Sequence, residues 1–296
     1  MKRKNPILDA IGMIGDLPTL PLVALEVSRL LDDPASTPDQ ITEVMKADQV
    51  ITSKVLRLVN SPYYGIRGGV STVEKAIKFL GYNTIFQLLI GVSVLEFSRL
   101  GGAMGIDVKE FWRHSLGVAV ASEAIARRSG FNEPQEMFAA GLLHDIGKLA
   151  LAKLAKKKFN RAIEMARKDG TTIRQAEREQ GLPTHDKVGG VLAEKWHIPK
   201  ILRAVIAMHH LSYENRIQTV SSSAEIQAKV DAVILADTLC KRFEIGDGGD
   251  LVIPDMDFAM VDRLGLVEND VRQIKGEMTR SVEKSKVFLD LLGESL

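Results

Sequence analysis

The chain from Glu110 onward carries a series of histidines and carboxylates of the kind that bind metal ions. In chain order the series comprises Glu110, His114, His144, Asp145, His185, His209, His210 and Asp237. Each of these residues falls at or near a segment with helical spacing. Imidazole nitrogens combined with carboxylate oxygens suit first-row transition metals such as Fe, Mn, Co, Ni or Zn. The series therefore predicts a site for a divalent transition metal.

His144 and Asp145 form an adjacent pair inside an apolar run, Gly141-Leu142-Leu143-His144-Asp145-Ile146-Gly147-Lys148. A pair in that setting must be buried or nearly so, and a buried carboxylate is costly unless a cation or a metal ion compensates it. Lys148 follows Asp145 by three residues and His144 by four, so it lies on the same face of a helix. Two interpretations follow: Lys148 binds a substrate phosphate, or it only forms an ion pair with Asp145.

The elements that must position these residues are predicted to be helices. Apolar residues recur at helical spacing, aromatic residues make up only 5% of the chain, and sustained apolar–polar alternation is missing. Capping boxes mark helix starts at Thr37–Gln40, Ser71–Glu74, Thr172–Gln175 and Ser222–Glu225. Helix ends are marked by Gly81, Gly130, Gly170 and Gly181. The sequence predicts an all-α protein.

The chain is predicted to have three segments. A glycine-interrupted stretch near residues 100–107 separates an N-terminal helical lobe, residues 1–104, from a helical core, residues 105–245. The core holds all six histidines. Residues 246–296 form a C-terminal helical extension, which we expect to pack against one lobe through Val261, Leu264, Val271 and Ile274.

The charge pattern argues against a nucleic-acid-binding protein. The chain has 39 Lys and Arg residues against 38 Asp and Glu residues, a net charge of +1, whereas nucleic-acid binding requires a basic excess or stripe. Residues 71–90 have the helix–glycine–helix spacing of a DNA-binding motif. Their second helix, however, would present Asn83, Thr84 and Gln87 without an arginine or a lysine. Ordinary packing of a helix hairpin is the favoured interpretation.

The chain is expected to be soluble and cytoplasmic. Its single cysteine, Cys240, excludes an intrachain disulfide and is expected to be a buried core thiol. No uninterrupted apolar segment approaches the ~20 residues that a membrane-spanning helix needs. Asp9 and Asp16 interrupt the N-terminal stretch where a signal peptide would lie.

Several motifs together resemble the HDOD family, a branch of the HD-domain phosphohydrolase superfamily. The order of His114, His144-Asp145 and Asp237 is similar to that of the superfamily. The narrower resemblance to HDOD domains rests on residues 17–21, 56–61, 76–81, 111–115, 140–148, 177–193, 208–210 and 236–237, with Trp196 and Pro199. The similarity therefore spans residues 17–237.

The resemblance implies a two-lobed helical fold, an HD-type metal-dependent phosphohydrolase-like core and a role in bacterial signal transduction. One or two metal ions are implied, with Fe or Mn favoured and Zn, Ni or Co as alternatives. On this hypothesis one ion is held by His114, His144, Asp145 and Asp237, and a second by His185, His209 and His210, with Asp145 bridging the two. Asp145 and Lys148 are then the catalytic residues.

Glu110, His185 and the pair His209-His210 also resemble additional ligands of the related HD-GYP phosphodiesterases. The Gly-Tyr-Pro signature of that group is absent, because His210 is followed by Leu211-Ser212-Tyr213-Glu214. A cyclic di-GMP phosphodiesterase is therefore not the favoured assignment.

Three candidate ligands have simpler interpretations. Glu110 follows Asp107 by three residues, so it either binds metal or only caps a helix start. His185 either binds metal or stands at a helix start. Adjacent helical side chains point about 100° apart, so one ligand from His209 and His210 is favoured over two.

Three further polar residues are expected to lie outside the site. His197 lies beside Trp196 and before Pro199, off the pattern of the other histidines, and is interpreted as a surface or packing residue. Asp186 and Asp231 are interpreted as solvated.

Two functional hypotheses remain. The first is a signalling protein whose metal centre hydrolyses a phosphoester in a nucleotide-like substrate. The second is a non-catalytic regulatory module that binds another signalling protein and has a structural or vestigial metal site. The intact ligand set favours the first, and the large histidine-free N-terminal lobe favours the second.

Overall fold

The structure is a computed structural model that describes residues 19–33, 35–99, 105–218, 223–284 and 289–290 of the 296-residue chain. The regular elements in these ranges are helices, and no strand occurs among them. The prediction of an all-α protein is confirmed.

The helices follow one another with short connections. The N-terminal block contains α1 (Leu22–Asp32), α2 (Pro38–Lys46), α3 (Gln49–Val59) and α4 (Val73–Arg99). The second block contains α5 (Val108–Arg128), α6 (Glu136–Leu143), α7 (Ile146–Leu154), α8 (Lys156–Asp169), α9 (Ile173–Glu179), α10 (His185–Lys195), α11 (Lys200–Met208), α12 (Tyr213–Ile217) and α13 (Ala224–Arg242). Two more helices follow, α14 (Phe258–Arg263) and α15 (Glu268–Lys284).

Of the predicted capping boxes, Thr37–Gln40 has both of its reciprocal hydrogen bonds, and Thr172–Gln175 has only the bond to the hydroxyl. The Thr37 hydroxyl accepts from the Gln40 backbone at 3.4 Å, and the Gln40 side chain accepts from the Thr37 backbone at 2.8 Å. Thr172 likewise accepts from the Gln175 backbone at 3.2 Å.

The other two predicted boxes are displaced by one residue. Thr72, and not Ser71, accepts from the Lys75 backbone at the start of α4. Ser223 caps α13, and Ser222 lies outside the described residues. The reason is that consecutive hydroxyl residues precede both helices, so the pattern alone does not select the one that caps.

Helix α4 is interrupted at Gly81, whose φ of 78° and ψ of 164° are not helical. The predicted helix–glycine–helix arrangement is therefore present. Contrary to expectation, residues Val73–Leu95 are long and apolar enough, by length and composition, to cross a membrane. However, 61% of its most apolar 18-residue stretch is buried inside the fold. Packing between helices therefore accounts for the apolar composition.

Helix α5 is the central helix of the second block and packs against α6 and α13. Its buried face includes Trp112 and Phe111. A Cβ at Gly141 on α6 would lie only 2.7 Å from the Ala119 Cα on α5, so the two helices meet at backbone distance. This close approach brings His114 on α5 next to His144 at the end of α6, with ring centroids 5.6 Å apart.

Helix α15 packs against α5 of the second block. Ile274 and Met278 on α15 are buried, and Arg128 on α5 forms ion pairs with Glu277 at 2.5 Å and Asp270 at 3.7 Å. Val261, Leu264 and Ile274 are buried and Val271 is partly buried. These apolar positions pack as the sequence predicts.

Candidate metal centre

Two helix ends and a tight turn form the base of the site. His144 directly follows α6, Asp145 directly precedes α7, and the two residues form the turn that joins these helices. Both side chains are buried. A Cβ at Gly147 would lie 1.9 Å from the His185 backbone oxygen, so only glycine lets α7 approach the start of α10. That approach places His185 beside Asp145.

Seven of the predicted residues lie together. Histidine and aspartate donor atoms form two groups, each within 4.8 Å: His114, His144 and Asp145 in one, and Asp145, His185, His209 and His210 in the other. Asp145 belongs to both groups. Its Oδ1 lies 3.3 Å from the His185 Nε2 and 3.6 Å from the His209 Nε2, and its Oδ2 lies 3.2 Å from the His144 Nε2.

Asp237 on α13 joins the first group. Its Oδ1 lies 3.0 Å from the His114 Nε2. The two atoms are close but do not have hydrogen-bond geometry, since each is without a hydrogen-bond partner. The His114 ring and the Asp237 carboxylate therefore face a common region of the site.

The other ring nitrogens fix the histidine tautomers. Nδ1 of His144 lies 2.7 Å from the Gly141 carbonyl, and Nδ1 of His209 lies 3.0 Å from the Ile206 carbonyl. A carbonyl only accepts, so each Nδ1 carries the proton and donates. Nδ1 of His185 likewise donates to the Glu177 carboxylate at 2.9 Å. In all three rings Nε2 is then an acceptor directed into the cluster. The His185 Nε2 lies 2.9 Å from the His210 Nε2, which therefore donates to it.

Four buried atoms of the cluster have no hydrogen-bond partner among the described residues. They are the Nε2 atoms of His114 and His209 and the Oδ1 atoms of Asp145 and Asp237. A buried polar atom without a partner is costly, and a cation would satisfy the two carboxylate oxygens and the His209 nitrogen together. The donor set therefore fits a transition-metal site.

The electrostatics favour an ionised Asp145 and neutral His209 and His210. Burial alone would lower the pKa of His144, but the neighbouring Asp145 carboxylate raises it. Burial alone would raise the pKa of the Asp145 carboxyl, but the charges of His144 and Lys148 outweigh it and hold that pKa well below its usual range. Burial lowers the pKa of His209. Burial, with the neighbouring His209, also holds the pKa of His210 well below its usual range. Ionised carboxylates and neutral imidazoles are the forms that metals require.

Lys148 is buried and contacts the centre at the same Asp145 oxygen that lies 3.2 Å from the His144 Nε2. Its Nζ donates to the Asp145 Oδ2 at 2.5 Å and to the Gly248 carbonyl at 2.7 Å. Of the two interpretations of Lys148, the structure contains the ion pair with Asp145.

Glu110 is not brought into the cluster. Its side chain is 41% exposed and lies 3.5 Å from the Arg113 guanidinium. The Asp107 carboxylate caps α5 by accepting from the Lys109 and Glu110 backbones at 2.7 and 3.1 Å. Glu110 thus follows the simpler interpretation of a residue in the first turn of a helix.

Two aspartates expected to be solvated are buried instead, each at 1% exposure. Asp186 pairs with Arg174 at 3.0 Å, and Asp231 pairs with Arg216 and Arg263. The expectation was wrong because arginines brought in by other helices compensate both carboxylates. His197 is exposed, as predicted.

The sequence profile of the HDOD domain matches residues 17–212. The chain belongs to the HDOD domain family. Among solved structures, an HDOD domain protein of unknown function from Geobacter sulfurreducens is 26% identical, with a TM-score of 0.76 over 97% of this chain and 96% of that chain. A provisionally named phosphohydrolase from Shewanella amazonensis SB2B is 22% identical, with a TM-score of 0.72 over 97% and 99% of the two chains.

A curated relative, an uncharacterized protein from Treponema pallidum, is 22% identical over 198 residues. The match covers 67% of this chain but only 38% of that protein. The HDOD chain thus spans well under half the length of the curated relative.

Three contacts of this HDOD centre were not predicted from the sequence. Glu177 orients His185, and Lys241 on α13 lies 3.1 Å from the Asp237 Oδ2. The loop of residues 246–250 covers His114, since a Cβ at Gly246 would lie 2.1 Å from the His114 backbone nitrogen. Two features of the sequence could have indicated them. Lys241 follows Asp237 by four residues, which places both on one face of a helix, and the loop is rich in glycine.

A cavity of about 310 Å³ opens beside the second group of donors. Its lining includes His209, His210, Asp237, Lys241 and Arg174. A larger cavity of about 370 Å³ lies between Tyr63, Glu123 and Phe138 and includes none of the predicted site residues. Of these two cavities, the one of about 310 Å³ is therefore the one that adjoins the cluster.

Proposed function

We propose that this HDOD protein binds one or two transition-metal ions in the cluster and hydrolyses a phosphoester of a nucleotide-like substrate in a bacterial, cytoplasmic signalling system. The observation that carries the proposal is the set of four buried polar atoms, two carboxylate oxygens and two imidazole nitrogens, that lack hydrogen-bond partners among the described residues. One ion is assigned to His114, His144, Asp145 and Asp237, and a second to His185, His209 and His210, with Asp145 common to both.

The reaction adds water across a P–O ester bond. The water oxygen forms a new bond to phosphorus, the ester P–O bond breaks, and a proton of the water passes to the leaving oxygen. When bound, the metal would supply hydroxide at neutral pH and offset charge on the phosphate oxygens. The chain itself holds the donors in place, through the Gly141, Ile206 and Glu177 hydrogen bonds to three of the histidines.

The cavity gives a ligand access to both groups of donors. It adjoins the second donor group through His209 and His210 and the first through Asp237. Its charged lining combines Arg174, Arg216 and Lys241 with the carboxylates of Asp231, Asp237, Asp250, Asp255 and Asp257, so bound metal ions, and not the lining alone, would have to attract a phosphate. Lys241 is paired with Asp237, and Arg174 is paired with Asp186.

The names of proteins of similar fold support the phosphoester substrate class. A second Shewanella amazonensis protein is provisionally named a metal-dependent phosphohydrolase, and a Marinobacter aquaeolei protein is provisionally named a signal transduction protein. The TM-scores to these two are 0.58 and 0.71. They motivate a search for both a phosphoester substrate and a signalling partner.

Elemental analysis of protein purified without chelators tests the proposal. We expect near-stoichiometric Fe, Mn or another transition metal in the wild type and its loss in the His144→Ala/Asp145→Ala variant. Metal-loaded protein is then screened against phosphomonoesters, phosphodiesters and nucleotides. A wild type that is metal-free and takes up no added Fe, Mn, Co, Ni or Zn contradicts the proposal.

A second candidate function is a regulatory module that binds another protein. It is favoured by large apolar side chains exposed on the N-terminal block, where Leu22, Val50 and Phe79 are 85%, 64% and 62% exposed. The same experiment separates the two candidates. A module with a structural metal would bind metal but hydrolyse none of the substrates, and His144→Ala would only lower its melting temperature.

A further inference from the structure

The two aspartates of the centre each have one oxygen without a hydrogen-bond partner and one oxygen in contact with a lysine. In each, Oδ1 faces histidine nitrogens and has no hydrogen-bond partner among the described residues. The Asp145 Oδ2 lies 2.5 Å from the buried Lys148 and 3.2 Å from the His144 Nε2, and the Asp237 Oδ2 lies 3.1 Å from the half-buried Lys241. Each aspartate therefore pairs with a lysine through Oδ2 and keeps Oδ1 directed at histidines.

Both lysines are fixed by further contacts. The Nζ of Lys148 also donates to the Gly248 carbonyl at 2.7 Å. The Nζ of Lys241 lies 4.0 Å from the Asp250 Oδ1, and the Asp250 Oδ2 in turn accepts from the Ile173 backbone at 3.0 Å. The lysines thus tie the aspartates to the 246–250 loop, which lies over His114.

Charge compensation explains why two lysines contact these aspartates. Removing one partner from a buried ion pair leaves an uncompensated charge and is strongly destabilising. Asp145 and Asp237 would be such charges in metal-free protein without their lysines. The lysine ammonium groups supply positive charge at the Oδ2 atom of each aspartate.

We infer that Lys148 and Lys241 are permanent counter-ions of the centre, which keep its aspartates charged and oriented in metal-free protein and leave each Oδ1 open for an ion. The inference rests on the proposed metal site and deepens it. Each lysine is a positioning residue, since it contacts a ligand carboxylate and not the ion. A metal ion and a lysine then share one carboxylate, so each weakens the binding of the other.

The test compares the wild type and lysine variants, each with and without Mn²⁺. Lys241→Met should lower the melting temperature in EDTA by about 6 °C or more, and Mn²⁺ should restore much of the loss. By linkage, the variant should bind Mn²⁺ more tightly than the wild type, by at least about fivefold in calorimetric titration. Lys148→Met, which removes the partner of Asp145, should likewise lower the melting temperature in EDTA and tighten Mn²⁺ binding.

Lys229 provides a matched control on the same helix. It is buried and pairs with Glu136 at 3.1 Å and Glu225 at 2.9 Å, away from the centre. Lys229→Met should lower the melting temperature equally with and without Mn²⁺ and leave the Kd for Mn²⁺ unchanged. If Lys241→Met does not fold, the double variant Asp237→Asn/Lys241→Met removes both charges and should fold in EDTA.

The outcomes are distinguishable. If Lys241→Met and Lys148→Met bind Mn²⁺ as the wild type does or more weakly, or if the double variant is no more stable than Lys241→Met, the inference is overturned. If the wild type itself binds no transition metal, the proposed function fails, and the inference that depends on it fails with it.

Discussion

At the residue scale, Glu177 controls the orientation of a candidate ligand without reaching the centre itself. Its carboxylate accepts from both the backbone nitrogen and the Nδ1 of His185, each at 2.9 Å. Glu177 is fully buried, so this pair is shielded from water. A carboxylate behind a metal-binding histidine fixes the ring and increases its basicity.

We expect Glu177→Gln to weaken metal binding about 10- to 100-fold while helix content stays unchanged. The amide offers only one acceptor where the carboxylate offers two, so one of the two His185 bonds is lost. The measurement is the Kd for Mn²⁺ or Co²⁺ by calorimetric titration. Glu179→Gln, at the exposed end of the same helix, is the control and should not change the Kd. Equal affinity of both variants would show that Glu177 does not orient the ligand.

The sequence predicts donors better than it predicts what holds them. His144 and Asp145 were found because an ionisable pair inside an apolar run needs a compensating group. Glu177 gave no such signal, since it lies on α9 and His185 begins α10, so their contact depends on the turn between the two helices. Asp186 and Asp231 were misassigned as solvated because burial depends on arginines that other helices supply, up to 32 residues away for Arg263.

At the element scale, glycines set the distances between the helices that bear the ligands. Gly147 on α7 meets the start of α10 so closely that a Cβ would lie 1.9 Å from the His185 oxygen and 2.8 Å from the Gly189 nitrogen. Both neighbours are backbone atoms and cannot rotate away. The helices must therefore separate to accept any side chain.

Gly147→Ala should reduce the free energy of unfolding by about 3 kcal/mol or more and weaken metal binding, because His185 moves with α10. Urea unfolding and metal titration measure the two effects. Gly276→Ala is the matched control, since its Cβ would meet only the flexible Arg280 side chain at 3.4 Å. There the helix should gain up to about 1 kcal/mol. A Gly147→Ala protein as stable as wild type would contradict the close packing.

Helices were predictable at this scale, but the loop over the site was not. Periodicity and caps gave helix starts to within a residue at Thr37, Thr72, Thr172 and Ser223. Residues 246–250 have no periodicity, and their path depends on distant partners. The Asp247 backbone donates to the Glu110 carbonyl, and Lys148 donates to the Gly248 carbonyl 100 residues away.

At the scale of the whole molecule, one continuous apolar core joins the N-terminal block to the second block. A specific polar contact crosses the same junction: the Tyr63 hydroxyl donates to the Glu123 carboxylate at 2.5 Å. The Tyr63 ring also packs on Phe138 with centroids 5.1 Å apart. The sequence predicted two lobes but not this contact, because its partners are 60 residues apart.

Burial and the adjacent Glu123 raise the pKa of Tyr63, so the phenol remains a donor throughout the physiological range. Tyr63→Phe should then cost about 1 kcal/mol and lower the melting temperature by roughly 2 °C. Because the core is continuous, the two blocks should still unfold in a single calorimetric transition. Tyr82→Phe on α4 is the control, since the Tyr82 hydroxyl has no hydrogen bond among the described residues. A second transition in Tyr63→Phe would instead mean that this one contact couples two otherwise independent lobes.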